Sequence, residues 1–221
     1  MFHWLIHTRD GFITRLVIGV AILAALAIWD IRTHGRRATR WREYAFLLVC
    51  VGVAIVYGVV NDQVTSRISW EYFFYGKDLA KVLGPETPPD SFALSREAAK
   101  IGAMATWSVG LILGVAILIA NNPRRDRSQV SFRELMKLLP IVLAITVAFA
   151  IVFGVLGWFG LLNWISQDFR EMARMNMFRP RHFTAAYGAH LGGYVGGLIG
   201  GALAVWHVLH QRKRRSNSDH S

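Results

Sequence analysis

The chain has a single cysteine, Cys50. One thiol cannot close a disulfide within the chain, and a zinc centre built on several cysteines is excluded. Cys50 lies inside an apolar block and reads as a small residue facing lipid or a neighbouring helix. Acidic residues are also few, 14 against 25 lysines and arginines, which gives a net charge of +11. In a soluble domain that excess would suggest nucleic acid. Here the basic residues sit at the ends of apolar blocks, where topology control and anionic lipid headgroups account for them, so nucleic acid is not expected as a partner. Several signatures are missing as well. There is no phosphate loop, no Gly-x-Ser-x-Gly, no dinucleotide motif after a strand, and no Ser/His/Asp set at triad spacing. Strand-like alternation and internal repeats are absent too.

What the sequence has instead is long apolar runs. Hydrophobic residues make up 53% of the chain, gathered in blocks between charged clusters. The blocks fall near 12–31, 44–60, 101–120, 138–162 and 184–209. Each approaches the ~20 residues a helix needs to cross a bilayer. Only helices suit such blocks, because the backbone must satisfy itself in lipid. The expected fold is therefore an all-α integral membrane protein: one five-helix transmembrane bundle over residues 1–215 and a disordered polar tail at 216–221. The first block has no clear small-x-small cleavage site after it and reads as a retained span, not a signal peptide. Pro140 is placed in the first turns of the fourth block, where a missing N–H matters least.

Charge then suggests an orientation. Arg32, Arg36, Arg37, Arg40 and Arg42 crowd the first connection. Arg124, Arg125, Arg127, Arg133 and Lys137 crowd the third, and Arg212, Lys213, Arg214 and Arg215 follow the last block. All lie on one side of a five-span chain, which the positive-inside rule makes cytoplasmic. The N-terminus is then outside and the C-terminus inside. Arg170, Arg174, Arg179 and Arg181 run against this pattern. The outer segments are expected to carry short interfacial helices. One covers 64–82, with Trp70, Tyr72, Phe73, Phe74 and Tyr75 as an aromatic belt. The other lies around Trp164, Asp168, Phe169 and Glu171. Ser95, with Glu97 nearby, is the expected helix start before the third span.

Two groups of residues carry candidate function. In the fifth span Gly188, Gly192, Gly196 and Gly200 recur every four residues, and Gly193, Gly197 and Gly201 form an adjacent row. Such rows let a neighbouring backbone approach closely, either inside the bundle or at a contact with a second copy or a partner membrane protein. Glycines lining a conduit or admitting a ligand are the functional alternative. Gly110 and Gly114 in the third span, and Gly154 and Gly157 in the fourth, are candidates for the facing surfaces. The second group is ionisable. His190 lies about two turns into the fifth span, with Tyr194 one turn further on the same side. Asp62 ends the second span and Glu71 follows among aromatics. Asp62, Glu71, His190 and His182 make a chemically sensible set for a divalent transition metal. Salt bridges from Asp62 or Glu71 to Arg67, Arg179 or Arg181 are the structural alternative. His207 and His210 read as interfacial, and His3 and His7 as a solvated face near the chain start.

Two stretches carry a resemblance. Tyr57-Gly58-x-x-Asn61-Asp62-Gln63-x-Thr65, followed by Ser69-x-Glu71-Tyr72-Phe73, is one, and His190-x-x-x-Tyr194-x-Gly196-Gly197-x-x-Gly200 is the other. Together they resemble a family of uncharacterised bacterial multi-pass membrane proteins. The resemblance implies a bacterial inner-membrane location and no particular activity. Three functions stay open: metal handling at the outer face, a small oligomeric ion or solute transporter or channel subunit, and a non-catalytic scaffold or assembly factor.

Overall fold

The computed structural model describes residues 9–84, 86–122, 129–162 and 179–218. Five of the described helices are long and apolar enough to cross a membrane. They are α1 (Arg9–His34), α2 (Arg40–Ile68), α4 (Ser91–Ala120), α5 (Phe132–Trp158) and α6 (Pro180–Ser218), with a short α3 (Ala80–Leu83) between α2 and α4. The protein is an all-α membrane bundle. Its outer surface is apolar, with Ile18, Ile22, Ile112, Ile151, Val152 and Leu198 all exposed. A soluble monomer does not tolerate so much exposed apolar surface, whereas lipid accepts it. His3, His7, Arg124, Arg125, Arg127 and the expected interfacial helix around Asp168 and Glu171 lie outside the described residues.

The helix ends follow from local chemistry, and several correct the sequence expectation. The second span does not stop near Val60 but continues as helix through Ile68. The helix carries its polar residues by bonding them back to itself. Thr65 Oγ1 donates to the Asn61 carbonyl at 2.8 Å, and Ser66 Oγ donates to that of Gln63 at 3.2 Å. The expected interfacial helix over 64–82 is thereby split. Its first residues belong to α2, Tyr72–Gly76 forms a π-helical turn, and Ala80–Leu83 is α3. The third span starts at Ser91, not near Ser95, because Asp90 caps it by accepting from the Ala93 N–H at 2.7 Å. The fourth span opens on a capping box between Ser131 and Glu134, which places Pro140 in the helix interior instead of in its opening turns. At the last end, helix continues to Ser218, into the tail expected to be disordered from residue 216.

The helices associate as two tight antiparallel pairs, α2 with α4 and α5 with α6, and α1 lies mainly along α2. Small residues explain the tightness. A Cβ added at Gly58 would overlap the Gly102 carbonyl oxygen, and one at Gly157 would overlap that of Thr184. In lipid, where apolar contact has no solvent drive, this close backbone approach is a main source of helix association. Gly154 and Gly157 face the fifth span as expected. Gly110 and Gly114 do not. They meet Cys50, Ala54 and Leu47 of the second span instead, because α4 pairs with α2.

Polar ties hold one end of the bundle. Asp30 of α1 accepts from the Trp41 N–H at 3.1 Å and so caps α2 from a neighbouring helix. The buried Arg212 donates to the Ala120 carbonyl at the C-terminus of α4 at 2.5 Å, where backbone acceptors lack helical partners. Asn121 exchanges two bonds with the backbone of Val130, and Arg215 pairs with Glu134 at 2.6 Å.

Candidate functional site: a cleft between the helix pairs

The two pairs meet each other less closely than their own helices do, and a cleft of about 120 Å³ runs between them. One water needs only ~10–15 Å³ measured in this way, so the space exceeds a single solvent molecule several-fold. On α2 its lining extends from Asp62 to Cys50, and on α6 from His190 to Gly201. Those separations correspond to about 17–18 Å along a helix axis. Over most of that length the walls are apolar, with Val53, Ala105, Val109, Leu113, Leu139 and Val142 among them. The cleft hydroxyls of Thr106 and Thr146 are occupied by their own helices, donating to the Gly102 and Val142 carbonyls, each at 2.8 Å.

One end of the cleft is different. Asn61, Asp62, Lys77, His190, Tyr57 and Tyr194 gather there. Asp62 and His190 are both buried, and Asp62 Oδ1 stands 3.6 Å from His190 Nε2. The Asn61 amide donates to the same Oδ1 at 3.4 Å. His190 Nε2 also lies 3.2 Å from Thr65 Oγ1. That hydroxyl spends its proton on the Asn61 carbonyl, so towards His190 it can only accept. With the hydroxyl in that role, Nε2 is the donor of this pair. Tyr72 and Phe73 of the π-helical turn complete the enclosure, with ring centroids 4.9 and 5.9 Å from that of His190.

The same turn delivers Lys77 to the cleft. Its Nζ lies 5.5 Å from the Tyr72 ring centroid. Burial holds the Lys77 ammonium below the usual lysine range, and the charge of Asp62 partly offsets that. Burial also pushes the Tyr72 phenol up, with Tyr194, Asp62 and Tyr187 adding to the effect. Two buried polar atoms at this end have no hydrogen-bond partner: Asp62 Oδ2 and the Tyr57 hydroxyl. The contacts that Asp62 does make, with Asn61 and His190, converge on Oδ1.

The four residues expected to share a metal are not gathered into one cluster. Asp62 and His190 meet. His182 instead packs edge-on against Trp158, with ring centroids 4.7 Å apart, and Glu71 is fully buried just before the π-helical turn. Among the described residues, no group of three or more His, Cys, Asp or Glu could hold a metal ion. The alternative of an ion pair through Arg67 is not seen for Asp62, since Arg67 donates to the carbonyl and side chain of its helix neighbour Gln63.

The glycine rows divide between the two surfaces. Cβ atoms at Gly188 and Gly192 would overlap the carbonyl oxygens of Phe153 and Phe149, and Gly196 and Gly200 are tight against α5 as well. This row is consumed by packing within the bundle. Gly193, Gly197 and Gly201 instead line the cleft. Gly193 makes room for the Tyr57 hydroxyl, and a Cβ at Gly197 would meet only Thr146 Oγ1, at 3.8 Å.

No protein-family model, curated protein or solved structure matches this chain. Function is accordingly read from the cleft itself.

Residues missed in the sequence are Tyr57, Thr65 and Lys77. Two of them had a signal. Tyr57, Gly58, Asn61, Asp62 and Thr65 follow helical spacing and share one face once α2 is continued past Val60. Lys77 had none, because only the irregular turn at 72–76 aims it inward.

Proposed function

We propose that the protein binds an amphiphile inside the membrane, with the chain in the apolar length of the cleft and the head at Asp62, Lys77 and His190. The observation that carries this is the polarity gradient along one continuous cleft, apolar for most of its length and polar at a single end. Ligand sites are commonly apolar concavities with a few converging polar groups. Ionisable residues at membrane depth are costly and mark function by default. The distribution of basic residues supports a cytoplasmic location for the end held by Arg212 and Arg215, which turns the polar end of the cleft outward. The motif resemblance supports a bacterial plasma membrane. Metal handling has less support, since Asp62 and His190 supply two donors and the Nε2 of His190 is committed to Thr65.

Gly197→Leu tests this directly. Gly197 lines the cleft, and a Cβ there meets only Thr146 Oγ1, at 3.8 Å. Lipids extracted from the detergent-purified protein and quantified by mass spectrometry should include an amphiphile near one per chain, and the variant should lose it while keeping its helical content. Equal occupancy in the folded variant would overturn the proposal.

A further inference from the structure

The polar end also constrains the head of the ligand. Asp62 and Lys77 are the only described lining residues that carry a full charge of fixed sign, and they act on each other. Together they present no net charge. His190 turns its Nε2 to the Thr65 hydroxyl, 3.2 Å away. A phosphate or carboxylate head would be drawn by Lys77, but it would lie against the Asp62 carboxylate, and like charges in a poorly hydrated site repel strongly. The two unpartnered atoms ask for something else. Asp62 Oδ2 is buried and can only accept, so it needs a donor. The Tyr57 hydroxyl can donate or accept, and it too has no partner. A hydroxyl suits both atoms without adding charge. Its proton goes to Asp62 Oδ2, and its oxygen accepts from Tyr57.

We infer that the amphiphile is a hydroxyl-headed lipid, a long-chain or isoprenoid alcohol, recognised by Asp62 and Tyr57 in preference to its phosphate ester. A charged hydrogen bond of this kind is strong enough to shift affinity about tenfold or more. Because the inference rests on the amphiphile reading, the experiment must separate the two. Native mass spectrometry of the detergent-solubilised protein would be used, titrating farnesol against farnesyl phosphate and 1-hexadecanol against hexadecyl phosphate. The expected result is that the alcohol of at least one pair binds about tenfold or more tighter than its phosphate, the better pair showing which chain the cleft takes. Tyr57→Phe, and Asp62→Asn, which keeps the shape but replaces an acceptor oxygen with a donor, should reduce that preference while chain binding persists. A phosphate that binds as well as its alcohol, or an unchanged preference in both variants, overturns the hydroxyl assignment and leaves the cleft reading standing. Absence of binding in both series overturns the cleft reading and the hydroxyl assignment with it.

Discussion

The seam inside the α5/α6 pair and the seam between the two helix pairs are built from the same residue type for opposite ends. Along the first, Gly188, Gly192, Gly196 and Gly200 bring α6 onto the backbone of α5, so the absent side chains are replaced by the neighbouring helix. Along the second, Gly193, Gly197 and Gly201 sit one position further round and line the cleft, where Tyr57 and Leu113 fill the places beside Gly193 and Gly201 and Gly197 leaves open space. A one-residue step turns a helix by about 100°. That rotation separates the surface that holds the bundle together from the surface that can receive a ligand. A glycine row in a membrane helix is therefore not one signal, and its meaning depends on what faces it.

Substitutions sharpen the contrast. The largest effect is expected at Gly192→Ala, whose new methyl group meets the Phe149 backbone, which cannot swing aside as a side chain tip can. Overpacking of this kind costs about 1–3 kcal/mol, and a lower melting temperature in detergent should report it. A variant that melts like the parent would mean that the α5/α6 seam is looser than described. Gly197→Ala should act in the opposite direction. Its methyl enters the cleft at ordinary contact distance, and alanine gains up to about 1 kcal/mol over glycine in helix preference. The melt should rise slightly or stay unchanged, and a clear fall would show that the second row is a packing seam after all.

The smallest effect concerns the polar end of the cleft. Burial lowers the Lys77 pKa in the folded state, so the unfolded chain holds that proton to higher pH. The contribution of Lys77 to stability should therefore increase as pH rises from its depressed folded value towards the ordinary lysine range, and be fully present above it. Tyrosines titrate in the same region, so the measurement is a difference. Chemical denaturation of wild type and Lys77→Met across that window should show an upward slope with pH that the methionine variant lacks. Parallel curves would place Lys77 in water and remove it from the site.

Much of this molecule was legible before any coordinates. The five spans follow from apolar run length, and Asp62 and His190 stood out because ionisable groups are rare at bilayer depth. Helix limits were harder to read. Hydropathy ends the second span where Asn61 and Asp62 appear, yet backbone bonding continues to Ile68 because Thr65 and Ser66 return their hydroxyls to their own helix. The pairing partners of Gly110 and Gly114 were not legible either, since spacing within a helix shows that a smooth face exists but not which helix will meet it.

By itself, then, the sequence determined the class of the protein, its number of spans and the presence of smooth glycine faces, because each depends on local composition and helical periodicity. Only the tertiary structure decided that α2 pairs with α4 and α5 with α6. It alone brought Tyr57, Asp62, Lys77 and His190 to one end of a shared cleft and set His182 against Trp158. These are contacts between distant segments, set by which backbones can approach most closely in a medium that offers their polar atoms no water.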